Sequence, residues 1–207
     1  LYVDIDMERS GLFELIQKKY KPQLVLYPGC SVHITPAFFF PHLVFVDQDP
    51  NAAAFFSHQE MLLEFVSHHR RYRRAPFIQF IAQDFLQPLP VAVNQFDLLL
   101  ALFAGGIAQG CKSYLKTDGL LITNNHHNDA VDAFHDTDFI PLAIVEYRQG
   151  KYQLSPFQLV GAASLKSQGG RSKRYLRSTS RGIKYVETEC YYVFKKTRRV
   201  SKAHRPI

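Results

Sequence analysis

The sequence has no tryptophan, two methionines and three cysteines among its 207 residues. Cys30, Cys111 and Cys190 are odd in number, far apart and without a CxxC pair. This argues against a disulfide framework or a cysteine-based zinc cluster, and the expected setting is a reducing cytoplasm. Long apolar runs are missing as well. The longest, residues 96–108, is too short to cross a bilayer and contains Asp97, Gly105 and Gly106. No basic segment followed by an apolar run reads as a secretory signal. The chain also lacks G-x-x-x-x-G-K-[ST], which excludes a P-loop, and only Gly29 remains of a possible G-x-G-x-x-G. Pyrophosphate needs a glycine-rich turn at a helix N-terminus, so a dinucleotide site is disfavoured.

Acidic residues are scarce at one end. Residues 1–165 carry 12 Lys and Arg against 16 Asp and Glu, whereas residues 166–207 carry 13 against 2. A mildly acidic body with a basic C-terminal portion suits contact with nucleic acid or another anionic surface, or simply a solvated loop and tail. Hydrophobic residues make up 46% and charged ones 21%, as in a globular protein, and the length suits one core. The expected organisation is a single domain over 1–207, with a basic loop insertion at 164–185 and a basic tail at 197–207.

Apolar runs alternate with helical patterns along the chain. Residues 8–20 place Leu12, Phe13, Leu15 and Ile16 on one helical side, and Lys21-Pro22 stops the pattern. Short apolar strands follow at 24–26, 43–46, 77–82, 96–102 and 120–123. Between them, Thr35-Pro36 opens a short helix, Ser57-His58-Gln59-Glu60 forms a capping-box pattern for a longer one, and 107–115 reads as another. Residues 139–147 and 151–154 resemble a hairpin, and 190–195 a last strand. The order predicts an α/β fold: a three-layer sandwich around a mostly parallel, doubly wound, seven-stranded sheet whose last strand is antiparallel.

In such sheets ligands bind beyond the carboxyl ends of the strands. Those ends carry Tyr27-Pro28-Gly29-Cys30, Asp47-Gln48, Gln83-Asp84-Phe85 and Phe103-Ala104-Gly105. Asp47, 18 residues after Gly29, is placed to accept hydrogen bonds from ribose hydroxyls. Asp84 is placed to accept from an adenine amino group, although strand-end aspartates also serve as helix caps.

These segments resemble the class I S-adenosylmethionine-dependent methyltransferase family over most of residues 10–196. Val25-Leu26-Tyr27-Pro28-Gly29-Cys30 looks like its first motif, Val46-Asp47-Gln48-Asp49-Pro50 like its ribose-binding motif, and Ala82-Gln83-Asp84-Phe85 like its adenine-contacting motif. Leu115-Lys116-Thr117-Asp118-Gly119-Leu120 is similar to its turn into strand five. The sequence departs from the pattern at Tyr27, where the family has Asp, and at Ser31 and His33, where it has glycines. The short interval from Gly29 to Asp47 suggests a first helix about one turn shorter.

The resemblance implies S-adenosylmethionine as cofactor, contacted by Tyr27, Gly29, Cys30, Asp47, Gln48, Asp84, Phe85 and Phe103. Phe103 would face the sulfonium through cation–π attraction, or simply lie in the core. Asn124, His126 and His127 follow strand five, where a histidine could act as base. The same cluster could instead cap a helix beginning near Asp129. The Asn/Asp-Pro-Pro-aromatic signature of enzymes that methylate base amino groups is missing. Adenine-N6-type DNA methylation is therefore not expected; the resemblance leaves the acceptor open, as a small molecule or RNA. Residues 70–74 (Arg70, Arg71, Tyr72, Arg73, Arg74) and the stretch from Arg171 to Lys184 suit phosphate contact with aromatic stacking. The alternative is a methyltransferase-fold binding module without catalysis, one that could bind nucleic acid.

Overall fold

The computed structural model describes residues 9–102, 104–125, 127–157, 175–179, 182–186 and 190–197. The opening helix α1 spans Ser10–Tyr20 and turns Leu12, Phe13 and Ile16 fully inward. It ends at Lys21 in the left-handed region (φ 53°), because Pro22 cannot continue the ladder. Strand β1, Leu24–Pro28, is buried beyond its first residue, as expected of a central strand covered on both faces.

The crossover from β1 to β2 (His42–Asp47) contains no α-helix. A 3₁₀ turn, Thr35–Phe38, stands where a helix shortened by one turn was expected. Pro36 and Pro41 leave too few residues between them for α-helical bonding, and Phe38, Phe39 and Phe40 are all buried. Their rings pack on Phe13 and Phe65, so this turn fills the layer a helix would have occupied.

Two helices follow β2 where the sequence suggested one. Helix α2, Pro50–Ser57, starts on an N-cap by Asp49, whose side chain accepts from the Asn51 N–H at 2.9 Å, with Pro50 at the first helical position. Helix α3, Gln59–His69, begins one residue after α2 ends. The expected capping box at Ser57 does not form: Ser57 closes α2, and its hydroxyl donates to the Ala54 carbonyl. Strand β3 is Phe77–Ala82 and β4 is Phe96–Ala101. Helix α4 stops at Cys111 (Ile107–Cys111), short of the expected 115, and a 3₁₀ turn leads into β5, Leu115–Asn124. Helix α5 is Asp129–His135, and β6, Phe139–Arg148, forms a hairpin with β7, Lys151–Pro156. Strands β8 (Tyr175–Thr179) and β9 (Gly182–Val186) pair with each other in a two-stranded sheet of their own. Strand β10, Cys190–Lys196, completes the main sheet between β5 and β6.

The sheet order is β3-β2-β1-β4-β5-β10-β6-β7. The strands β1 to β5 are parallel, and β10 is antiparallel to both its neighbours. The doubly wound α/β class is as expected, with eight strands rather than seven because β7 extends the edge. One core joins α1, α2, α3 and the Thr35–Phe38 turn to one face, and a second joins α4 and α5 to the other. Strand order reverses between β1 and β4, and that reversal positions the site.

Candidate functional site at the carboxyl edge of the sheet

Three strand-end segments converge beside the reversal. Gly29, at φ 62°, donates its N–H to the Val46 carbonyl at 2.8 Å, tying the turn after β1 to the end of β2. Ser31, also left-handed at φ 47°, points its N–H at Asp47 Oδ2, 2.7 Å away. A non-glycine residue in this conformation costs roughly 1–2 kcal/mol, which the charge-assisted bond offsets. Asp47 Oδ1 accepts from the Asp49 N–H at 2.9 Å. Each carboxylate oxygen keeps lone-pair capacity for a further donor. The Asp47 carbonyl accepts from the Gln83 N–H at 3.1 Å, which draws in the end of β3.

Asp84 is half-buried and accepts from the Leu86 N–H at 2.9 Å, so it shapes its own loop while remaining reachable. Phe85 is half-buried and lies over Gly29, while Gln48 is exposed beside Asp47. Cys30 is 1% exposed, and burial, reinforced by the charge of Asp47, pushes its thiol well above the usual range. Burial likewise raises Cys111 to about 12, helped by Asp129 and Asp84, and Cys190 to about 11. None of the three is a thiolate nucleophile at neutral pH.

Two of the residues expected at the cofactor make close contacts within the chain itself. The Tyr27 side chain is 2% exposed and sits in the α1-side core, its hydroxyl 2.9 Å from His33 Nδ1. The two residues that replace the family's usual ones therefore satisfy each other inside the fold, with Phe13 packed against His33. At Gly29, a Cβ would fall 2.4 Å from Ala104 Cβ. Close backbone approach does occur at this glycine, but the neighbour is the chain's own turn after β4.

Among the groups after β5, Asn124 is only 4% exposed and lies within the sheet opposite Tyr191. His127 is exposed and packs over Gly105, so it does reach the turn after β4. The capping alternative holds for Asn125, whose Oδ1 accepts from the Val131 N–H of α5 at 3.3 Å. Phe103 and His126 lie outside the described residues. Asp129 was missed by sequence reasoning. It reads there as the start of a helix, yet it is 2% exposed and accepts from the Ala108 N–H at the start of α4. Burial raises its carboxyl to about 6 against that hydrogen bond, with Asp132 adding to the rise and His127 opposing it. No periodicity or motif signals such a contact between two helix starts.

The first basic run lies at the other end of the molecule. It precedes β3, at the amino edge of the sheet, and Tyr72 is half-buried with its hydroxyl bonded to the Ala37 carbonyl. Of the stretch from Arg171 to Lys184, residues 171–174 and 180–181 lie outside the described residues. The rest pairs as backbone in the β8–β9 hairpin. Among the described residues, no group of three His, Cys, Asp or Glu could hold a metal, and no helix is long and apolar enough to cross a membrane.

No protein-family model and no curated protein matches the sequence. Solved structures do match in fold. The tRNA methyltransferase TrmI from Aquifex aeolicus aligns with TM-score 0.54 at 12% identity, over 93% of this chain and 69% of that one. The [4+2]-cyclase SpnF aligns with TM-score 0.53 at 12% identity, over 91% and 81%. StiE O-MT aligns with TM-score 0.52 at 14% identity, over 91% and 74%. At these identities the likeness establishes the fold alone, and SpnF is named for a reaction other than methyl transfer.

Proposed function

We propose that this chain, which has the class I methyltransferase fold, is an S-adenosylmethionine-dependent methyltransferase. The adenosine half of the cofactor would be held by Asp47 and Asp84. The observation that carries the proposal is the Asp47 carboxylate. It stands at the end of β2, joined to the first turn through the Ser31 N–H at 2.7 Å, with lone pairs left for ribose hydroxyls. Asp84 supplies a second acceptor for an adenine amino group, and Phe85 an apolar wall. When bound, S-adenosylmethionine supplies an electrophilic methyl group. Gln48 would lie at the exposed rim of the nucleoside, and the Gly29-Cys30 backbone beneath it. His127, exposed over Gly105, is the group able to take a proton from an acceptor, a small molecule or an RNA.

The fit is good for the nucleoside and poor for the amino-acid end. Tyr27 offers no carboxylate to an ammonium group, and Ala104 already occupies the space above Gly29. These two observations favour a second reading, a nucleoside-binding module of the same fold without methyl transfer.

Calorimetric titration with S-adenosylmethionine, S-adenosylhomocysteine, adenosine and NAD separates the two. The methyltransferase reading expects the sulfur-bearing ligands to bind at least tenfold more tightly than adenosine. Equal affinity for adenosine supports the module. Loss of one hydrogen bond to a charged group costs roughly 1.5–3 kcal/mol, so Asp47→Ala should weaken binding about tenfold or more. No binding by any of the four, or an Asp47→Ala protein that binds normally, rules out this site.

A further inference from the structure

The amino edge of the sheet gathers positive charge that the site above does not use. Residues 65–83 contain no Asp or Glu. Within them the segment from Arg70 to Arg74 is held in place rather than left loose. The Arg71 N–H donates to the Phe38 carbonyl at 2.7 Å, the Tyr72 hydroxyl to the Ala37 carbonyl at 2.9 Å, and Arg70 Nη1 to the Arg74 carbonyl at 2.8 Å. Arg74 Nη1 reaches Gln23 Oε1 at 3.4 Å, which brings the segment beside the C-terminal end of α1 with Lys19 and Lys21. Arg71, Arg73, Arg74, Lys19 and Lys21 are all exposed. Among the described residues, none of these five has a carboxylate partner. Lys18, by contrast, is paired with Glu14. Asp97, which accepts from the backbone beside Lys21, is taken up by Lys116 at 2.7 Å and by the Gln23 and Leu24 amides.

Next to these cations stands an aromatic surface. Phe77 is 49% exposed although it opens a strand, and its ring lies 4.1 Å from that of His42, its partner across β2 and β3. Three residues separate Phe77 from Arg73, so the ring and the arginines belong to one short stretch of chain. An exposed ring has no advantage on a phosphate-only surface or against a duplex whose bases are already stacked. Beside a row of arginines it suits an unpaired base.

We infer that this edge binds single-stranded nucleic acid, with Arg71, Arg73, Arg74 and Lys21 on phosphates and Phe77 stacking on a base. Tyr72, the aromatic residue suggested by the sequence, serves to anchor the segment. The surface is separate from the adenosine site. Phe77 and Asp47 lie at opposite ends of paired strands, five residue steps or about 17 Å apart. The inference therefore stands or falls independently of the function proposed above.

The test is fluorescence anisotropy of the full chain with a labelled 12-mer oligouridylate, a 12-base-pair duplex, and vesicles of mixed neutral and anionic phospholipid as competitor. Four phosphate contacts predict that affinity for the oligouridylate falls about 50-fold between 50 and 200 mM KCl. Arg71→Ala/Arg73→Ala changes two side chains with no intramolecular hydrogen bond among the described residues, so the fold should persist. It should halve the slope of log affinity against log salt. Phe77→Ala should weaken the single strand at least fivefold and leave the duplex unchanged. Asp47→Ala and saturating S-adenosylhomocysteine should leave oligouridylate binding intact. Four results would overturn the inference: no binding at 50 mM KCl, duplex bound as tightly as single strand, displacement of the oligonucleotide by vesicles, or full affinity retained by both variants. The last would place binding on the segment from Arg171 to Lys184 instead.

Discussion

Replacing Gly29 with alanine tests the packing that closes the space beside the first turn. Gly29 has φ 62°, where a side chain costs roughly 1–2 kcal/mol. Its new Cβ would also fall 2.4 Å from Ala104 Cβ, and overpacking of that kind costs typically about 1–3 kcal/mol. The sum is about 3 kcal/mol, equivalent to a fall in Tm of about 10 °C for a domain of this size. The two contributions can be separated, because Ala104→Gly removes the collision and leaves the backbone strain. Ala104→Gly alone should cost about 1 kcal/mol through lost burial and added chain entropy. In the double variant Gly29→Ala/Ala104→Gly the penalties should not add. Its stability should exceed the additive expectation by about 2 kcal/mol, the signature of two groups in contact. Urea unfolding of the four proteins, followed by circular dichroism, measures all terms. Additivity within about 0.5 kcal/mol would show that Ala104 does not press on this turn, and the space above Gly29 would again be available to a ligand.

Other parts of the site give further expectations. Asp129 has its carboxyl raised from 3.8 to about 6, chiefly by burial, so its contribution to stability is present below the unfolded value and lost as pH rises through 6. Asp129→Asn should therefore gain about 2 kcal/mol relative to the parent between pH 4.5 and 7.5 in urea titrations, and a pH-independent difference would contradict the assignment. Tyr27→Phe should cost about 1 kcal/mol by removing the hydroxyl that meets His33, while leaving affinity for S-adenosylhomocysteine unchanged in calorimetry. A weakened ligand would return Tyr27 to the binding site. Lys112 bridges Asp136 at 2.5 Å and Asp138 at 2.9 Å, joining the end of α4 to the start of β6. Lys112→Met, which leaves two carboxylates facing each other, should cost about 2 kcal/mol at pH 7, and adding Asp136→Asn should restore part of it.

Local pattern was enough to determine the alternation of buried strands and helices, the parallel order implied by near-continuous apolar strands, and the placement of Asp47 and Asp84 at strand ends. Each follows from spacing along the chain, because a strand's length and its flanking turn residues locate its carboxyl end. The N-cap pair Asp49-Pro50 that opens α2 is equally local, a capping residue followed by proline at the first helical position. Other features depended on contacts between segments distant in sequence. Tyr27 and His33 could have faced a ligand or each other, and only packing against Phe13 and Phe45 turned them inward. The proximity of Gly29 to Ala104, the burial of Asn124 between β4 and β10, and the meeting of Asp129 with the start of α4 all join strands or helices whose neighbours are set by sheet order. Charge followed the same division. Composition showed a basic run before β3, but the fold placed it beside the end of α1, next to an exposed phenylalanine and at the far edge of the sheet from Asp47. A side chain's neighbours across a parallel sheet lie tens of residues away in the chain, so burial and pairing at these positions are properties of the assembled tertiary structure.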